Sequence, residues 1–489
     1  MIELSYLKCV GCGAEYSFDF FTPVHECINR GQDDANHILE KHLPSGFRFK
    51  ISKIIADKTD DSSPYKLFKR YFYSYYLAKY LNIDFEEIVD EINQNLTSIG
   101  EPEFLFTPLV EIDNIPGISG KTIIKNETGN VSGSHKARHL MGNILYIEVL
   151  HRAGMIENKP KLAVYSCGNA ALAAAAIAKA ANYDIDVFIP VGVNQHVIDK
   201  LKFYEANIIE CPRIPGETGD PCYNKFHDAL VAGATPFSCS GPDNWSNIEG
   251  GQTLCLELMT ELIAKNQILD SIVIQVGGGA LASAAFQTLE EMFAAGILRK
   301  LPKIYAVQTE GGYPLVRAYL LLMKEIAEFN QLPCSFDFHL DAVFKDKENK
   351  KILEYYKSHS DEIQNTAKFI RENYTNEKVQ PVLIEAAKKH MSNYMWSWEL
   401  EPHSIAHGIL DDITYDWFKI VQGMCRTGGI PITVDEEELK KYNTLAKELT
   451  GIKVDPTGSS GFAGYMKLKK SGIIPACDTT SVIYTGVER

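Results

Sequence analysis

From Thr107 onward, short β-branched runs alternate with Ala-rich stretches of helical period. Lys121 to Lys125, Lys161 to Tyr165, Asp186 to Pro190, Ile208 to Cys211, Ser271 to Val276 and Lys303 to Thr309 read as strands. Gly168 to Asn182, His196 to Glu205 and Ala280 to Ala295 read as helices between them. Strand, turn, helix and strand repeated in this order predict right-handed βαβ units and parallel pairing. Two such arrays, divided near Asn247 to Gly251, predict an α/β protein of two domains with twisted, largely parallel sheets flanked by helices.

The rest of the chain has another texture. Residues 1–105 read as an N-terminal extension, irregular at first and then helical. Ser63 to Leu81 is rich in Tyr, Phe and Lys, and Phe85 to Leu96 carries acids on one face and Ile, Val and Leu on the other. Residues 325–400 are charged and helical, with a solvated run at Lys345 to Lys351, and read as an insertion. The expected division is 106–155 with 255–489 as a large domain and 156–254 as a small α/β domain. No internal repeat or low-complexity tract interrupts it.

Composition narrows the function. The 489 residues hold 49 Lys and Arg against 63 Asp and Glu, a net charge of −14, which excludes a broad phosphate-backbone grip and hence nucleic acid. Hydrophobic content of 45% and charged content of 23% exclude a mostly disordered chain. Eleven cysteines, among them Cys167, Cys239 and Cys255 in isolated settings, read as reduced cytosolic thiols rather than a disulfide framework. Met1 to Lys8 lacks a secretory h-region. The longest apolar stretch, Ala170 to Ala178, is half a membrane span and runs into Lys179. A cytoplasmic protein with no membrane partner is expected.

Four motifs carry candidate chemistry. Ser132-Gly-Ser-His-Lys136-Ala-Arg138 places a lysine in a small-residue turn ahead of a helix, where a desolvated amine becomes nucleophilic toward a bound aldehyde. In Tyr165-Ser-Cys-Gly-Asn169-Ala, the Ser166 hydroxyl and helix-start N–H groups suit a carboxylate, and Asn169 a ring substituent. Val276-Gly277-Gly278-Gly279-Ala280-Leu281 lets backbone N–H groups approach a phosphate. The same segment also reads as G-x-G-x-x-A over Gly277, Gly279 and Ala282, with Glu310 as a ribose-binding acid, which is the pattern of a nicotinamide dehydrogenase. Asp455-Pro-Thr-Gly-Ser-Ser-Gly461 and the strand Ser481 to Thr485 bring a hydroxyl to a strand end, in reach of a heterocyclic nitrogen.

In that order and spacing, these motifs resemble the threonine synthase branch of the tryptophan synthase β-like, fold-type II pyridoxal phosphate enzymes. The resemblance runs from about Thr107 to Gly486 and includes Asn247-Ile-Glu-Gly-Gly-Gln-Thr253 and Ser404-Ile-Ala-His-Gly408. It implies a pyridoxal 5'-phosphate-dependent lyase or synthase that acts on a small amino acid by elimination and replacement, working as a homodimer. It implies that Lys136 is the Schiff-base lysine and Asn169 the partner of the cofactor's 3′-hydroxyl. Gly277, Gly278, Gly279, Ala280 and Leu281 would wrap the phosphate, and Thr485 would meet the pyridine nitrogen. Ser134, Ser166, Cys167 and Gly168 fall to the substrate. A cysteate synthase-like or serine/threonine dehydratase-like enzyme is the second reading, and a non-catalytic family member the third.

Departures from the family pattern are specific. His135 and Ala137 flank the lysine where threonine synthases usually carry Phe and Asp. Ahead of Glu249 the family ordinarily holds an arginine for the substrate's phosphate, whereas this chain has Asn247. Arg138, Lys200 and Lys202 are the candidate cations to replace it. Cys9-Val-Gly-Cys12, with Cys27 and His25, resembles half of the zinc ribbon that precedes some threonine synthases, which makes zinc a second expected cofactor.

Overall fold

The computed structural model describes residues 5–18, 23–44, 47, 50–213, 220–333, 335–336, 349–399 and 402–489. The irregular-looking start holds three short strands, β1 (Tyr6–Cys9), β2 (Glu15–Tyr16) and β3 (Leu39–His42), in an antiparallel sheet of order β2-β1-β3. β4 (Leu109–Ile112) and β5 (Thr122–Asn126) follow. β6 (Leu162–Tyr165), β7 (Ile185–Pro190), β8 (Asn207–Cys211) and β9 (Thr235–Pro236) make a four-stranded parallel sheet of order β8-β7-β6-β9. β10 (Ser271–Gln275), β11 (Lys303–Thr309), β12 (Pro431–Val434) and β13 (Thr480–Tyr484) join β5 and β4 in a six-stranded sheet of order β12-β11-β10-β13-β5-β4. Among its described strands, only β4 runs antiparallel.

The α/β class expected from the alternation is the fold observed. β10 and β13 are buried at every position, as central parallel strands covered by helices on both faces are, with their polar Ser271, Gln275, Thr480 and Ser481 buried as well. The last strand of the chain therefore lies in the middle of the larger sheet, between β10 and β5.

Two helices form the floor of the site. Lys136–Arg152 packs against Ser246–Ala264. A Cβ on Gly142 would stand 2.5 Å from the Gly250 nitrogen, so the backbones cross at a distance only glycine permits. The stretch Asn247 to Gly251, read above as the divide between the arrays, lies inside this continuous second helix.

The extension is built into the core. Tyr65, Phe68, Tyr71 and Tyr73 are fully buried, and the Tyr65 hydroxyl donates to the Arg138 carbonyl at 2.9 Å. Phe85–Ser98 is a helix whose Asp84 cap accepts from the Glu86 and Glu87 N–H groups, with Ile88, Val89, Ile92 and Leu96 turned inward. In the expected insertion, Asn349–Ser358, Ser360–Asn373 and Gln380–Lys388 are helices, and residues 345–348 of the charged run lie outside the described residues. Among the described residues no helix is long and apolar enough to cross a membrane.

Candidate active site

In an open α/β sheet the chemistry gathers beyond the carboxyl ends of the strands. Here the ends of β6, β10 and β13 face one region. Ser132 (φ 52°) and Gly133 (φ 68°) turn the chain in the left-handed region just ahead of Lys136. This turn is laid against the residues after β13: Ser134 bridges Gly486, and the Val487 N–H donates to the Gly133 carbonyl at 3.0 Å. Lys136 and Thr485, far apart in sequence, are brought together by that pairing.

β10 ends in the glycine turn. Gly279 (φ 101°) precedes the helix Ala280–Ala294, and no side chain caps that helix, so its first N–H groups are left for another acceptor. A Cβ on Gly277 would come within 2.2 Å of Asp411 Oδ2, and one on Gly278 within 2.7 Å of Tyr415 Cδ2. The Asp411 carboxyl lies against this turn. The Asp416 N–H donates to the Gly278 carbonyl at 3.0 Å, and Asp416 Oδ2 accepts from the Gly241 N–H at 3.2 Å.

Both carboxyls are shifted, Asp416 fully buried and Asp411 half-buried. Burial raises Asp411, against the pull of the Lys136 ammonium and the Gly278 N–H. Burial raises Asp416 to about 7, with Asp243 adding to it and the Gly241 N–H and Lys136 opposing. The imidazoles beside the lysine are neutral: burial and the Lys136 charge hold His135 well below its ordinary value and push His139 down to about 3. Lys136, the glycine turn and two carboxyls thus form one electrostatic unit.

The turn after β6 closes the opposite side. Ser166, Gly168 and Asn169 are partly exposed and Cys167 is exposed. Ser166 Oγ accepts from the Gly168 N–H at 3.3 Å, and Tyr165 meets Tyr415 edge-on at 6.4 Å. Arg489 spans the gap, donating to Asn169 Oδ1 and to the Ser132 carbonyl, each at 2.5 Å.

At the ends of β10 and β13, the Gln275 amide donates to Thr485 Oγ1 at 2.7 Å, to the Gly458 carbonyl at 2.9 Å and to the Ile483 carbonyl at 3.2 Å. Two carbonyl acceptors fix which end of the amide faces them, because the oxygen end would be repelled there. The Thr485 hydroxyl must therefore accept from Gln275, which leaves its own hydrogen free to donate elsewhere.

Several expected residues lie elsewhere or serve other ends. Asn247 is buried, its Nδ2 donating to the Asn244 carbonyl at 2.5 Å and its carbonyl facing His139 Nδ1 at 2.8 Å. Arg138 is 1% exposed and locked between Glu127 and Glu257, so it is no stand-in for a phosphate ligand. Lys200 lies over the Phe203 and Tyr204 rings, and Lys202 is exposed. Glu310 pairs with Lys357 at 2.6 Å. Cys9, Cys12 and Cys27 do converge, but with His37; His25 is half-buried outside the cluster, edge-on to Tyr146. Sequence reading missed Asp411, Asp416, Gln275, Arg489 and His37; Asp411 and Asp416 follow closely on the recognised Ser404 to Gly408 stretch.

The pyridoxal-phosphate dependent enzyme family matches residues 101–363. A threonine synthase of Methanocaldococcus jannaschii is 22% identical over 393 residues, covering 78% of this chain and 74% of its own. An L-serine dehydratase of Saccharomyces cerevisiae is 28% identical over 218 residues, covering 42% of this chain and 61% of its own. Among solved structures, a T.th. threonine deaminase superposes with a TM-score of 0.53 at 18% identity, over 81% of this chain and 98% of that one, which is a likeness of fold. The fold and the strand-end cleft define an α/β enzyme of the fold-type II kind. The chain belongs to the pyridoxal-phosphate dependent enzyme family, and pyridoxal phosphate is its cofactor.

Proposed function

We propose that the chain is a lyase or synthase that acts on a small amino acid by threonine synthase-like elimination and replacement, with Lys136 as its catalytic lysine. The observation that carries this reading is the convergence of Lys136, the uncapped glycine turn and Thr485 beyond the ends of β10 and β13. Residues 106–155 with 255–489 would form the large cofactor-binding domain and 156–254 the small one. A homodimer in the cytoplasm accompanies the reading.

The residues fit the cofactor. Gly277 to Leu281 would hold the phosphate at an uncapped helix start, where the dipole favours an anion. Asn169 would face the ring hydroxyl, and Lys136 the aldehyde. The free hydrogen on Thr485 suits a neutral pyridine nitrogen. When bound, the cofactor supplies the electron sink. The Lys136 amine would hold and move the Cα proton. Ser134, Ser166, Cys167 and Gly168 would receive the substrate, with the Ser166 turn at a helix start suited to its carboxylate.

Phosphohomoserine, phosphoserine, serine and threonine, offered separately to cofactor-loaded protein, test this. Phosphate release from a phosphorylated amino acid is the expected result. Asn247 at the phosphate-arginine position and the serine dehydratase relative favour the deaminating or β-replacing reading, which keto acid from serine or threonine without phosphate release would establish instead. No product from any of them would defeat both.

Gln275 bears on the same chemistry. Gln275→Leu is expected to lower turnover roughly five- to tenfold, the value of one hydrogen bond of about 1 kcal/mol, and to shift the visible absorption of the bound cofactor. Because Gln275 is proposed to act through the Thr485 hydroxyl, adding Gln275→Leu to Thr485→Ala should change the spectrum no further. Additive shifts would show that Gln275 does not act through Thr485.

A further inference from the structure

We propose that Cys9, Cys12, Cys27 and His37 form a tetrahedral transition-metal site, zinc by its donor set, that fastens residues 24–38 against the floor of the active site. Their four donor atoms all lie within 4.8 Å of one another. Cys9 Sγ is 3.5 Å from His37 Nδ1, and Cys12 Sγ is 3.6 Å from Cys27 Sγ. A tetrahedral zinc with ordinary Zn–S and Zn–N bonds sets S···N at ~3.6 Å and S···S at ~3.8 Å. A disulfide would need its sulfurs at about 2.05 Å. The spacing is that of ligands around a centre.

The backbone builds this arrangement. β1 ends at Cys9, whose N–H donates to the Ala14 carbonyl at 2.8 Å while its carbonyl accepts from Gly13 at 3.0 Å. Gly13 (φ 76°) completes the reversal that puts Cys9 and Cys12 on one side. Cys27 and His37 come from the segment between β2 and β3.

The surroundings are those of a metal centre. His37 Nε2 lies 2.9 Å from Asp33 Oδ1, so its N–H points to the carboxylate and the Nδ1 lone pair points into the cluster. Asp33 is itself held by the Ala35 N–H at 2.9 Å. Asn29 Nδ2 donates to Cys12 Sγ at 3.4 Å and the Tyr16 hydroxyl to Cys27 Sγ at 3.5 Å, the donors that thiolate ligands require. Thiolates together with a neutral imidazole select zinc over the oxygen-loving cations.

The segment so held touches the catalytic floor. The Val24 carbonyl accepts from Trp245 Nε1 at 2.9 Å and from the Tyr146 hydroxyl at 3.1 Å. Arg30 donates to the Pro242 carbonyl at 2.9 Å and to Asp243 at 2.8 Å. These partners sit beside Gly241, whose N–H holds Asp416.

Metal content of the full chain, purified under reducing conditions, tests the site independently of the catalytic reading. One zinc per chain is expected in wild type and in His25→Gln. Cys12→Ser and His37→Ala should lose metal about tenfold or more, and Asp33→Asn should weaken metal affinity about 10- to 100-fold. Cobalt(II) in place of zinc should give thiolate-to-metal charge-transfer absorption and strong tetrahedral bands in wild type, and chelation should open residues 24–38 to proteolysis. Wild-type protein that takes up neither zinc nor cobalt overturns the proposal. So does a His37→Ala cobalt spectrum identical to wild type, or a Cys12–Cys27 disulfide found by peptide mapping without reductant.

Discussion

Lys136→Ala is expected to abolish the visible absorption of the bound cofactor and to lower turnover by about 10²- to 10⁴-fold, the range for a lost acid–base group, while leaving the urea unfolding midpoint nearly unchanged. Lys136 is the first residue of its helix, at the end where the dipole disfavours a positive charge. Its ammonium adds nothing to helix stability there, and the turn before it is held by Ser134, Gly133 and their partners after β13. Around it are half-buried Asp411, buried Asp416 and two neutral imidazoles. Loss of activity with unchanged stability is the pattern of a catalytic group. Retained absorption in the variant would assign the cofactor to another lysine.

Two positions along, Arg138→Leu is expected to show the reverse emphasis, costing about 3–5 kcal/mol of stability, measured as a fall in the urea midpoint. Arg138 Nε lies 2.7 Å from Glu127 Oε2, and its Nη1 and Nη2 lie 2.6 Å and 3.0 Å from the two oxygens of Glu257. Lys125 Nζ completes the set at 2.6 Å from Glu257 Oε2. Two cations and two carboxylates, all but sealed from water, balance one another. Removing the arginine leaves a buried net charge that no solvent reaches. Burial works to raise the Glu127 carboxyl, but Arg138 and Lys125 outweigh it and hold it below its ordinary value. That contribution is present above the unfolded glutamate pKa of about 4.3 and is lost as pH falls through the lower folded value. The wild-type advantage over Arg138→Leu should accordingly shrink in acid. A midpoint unchanged at neutral pH would show the network to be dispensable.

Much of the fold is legible along the chain. The strand expected at Lys303 to Thr309 is β11 to the residue, and the helix expected over Ala280 to Ala295 is observed over Ala280–Ala294. Buried parallel strands and the helices between them write their periods into the sequence. The short strands β1 to β3 were not legible, being only two to four residues long. The helix Ser246–Ala264 was obscured by Gly250 and Gly251, which read as a break but serve a close helix crossing.

The site divides the same way. Lys136, the glycine turn and Asn169 announce themselves because the nucleophile, anion cradle and helix start proposed for them would each need particular residues in a row. Asp411, Asp416 and Gln275 give no such signal, since a carboxyl or an amide acquires its role only from what surrounds it. The sequence by itself therefore determined the α/β class, the strand and helix positions and the local motifs, all set by interactions between near neighbours. Only the tertiary structure decided that the final strand runs beside β10, that Arg138 is a buried counterion, and that His37 rather than His25 joins the cysteines. Those outcomes depend on strand order, desolvation and distance, which residues remote in the chain settle only by packing together.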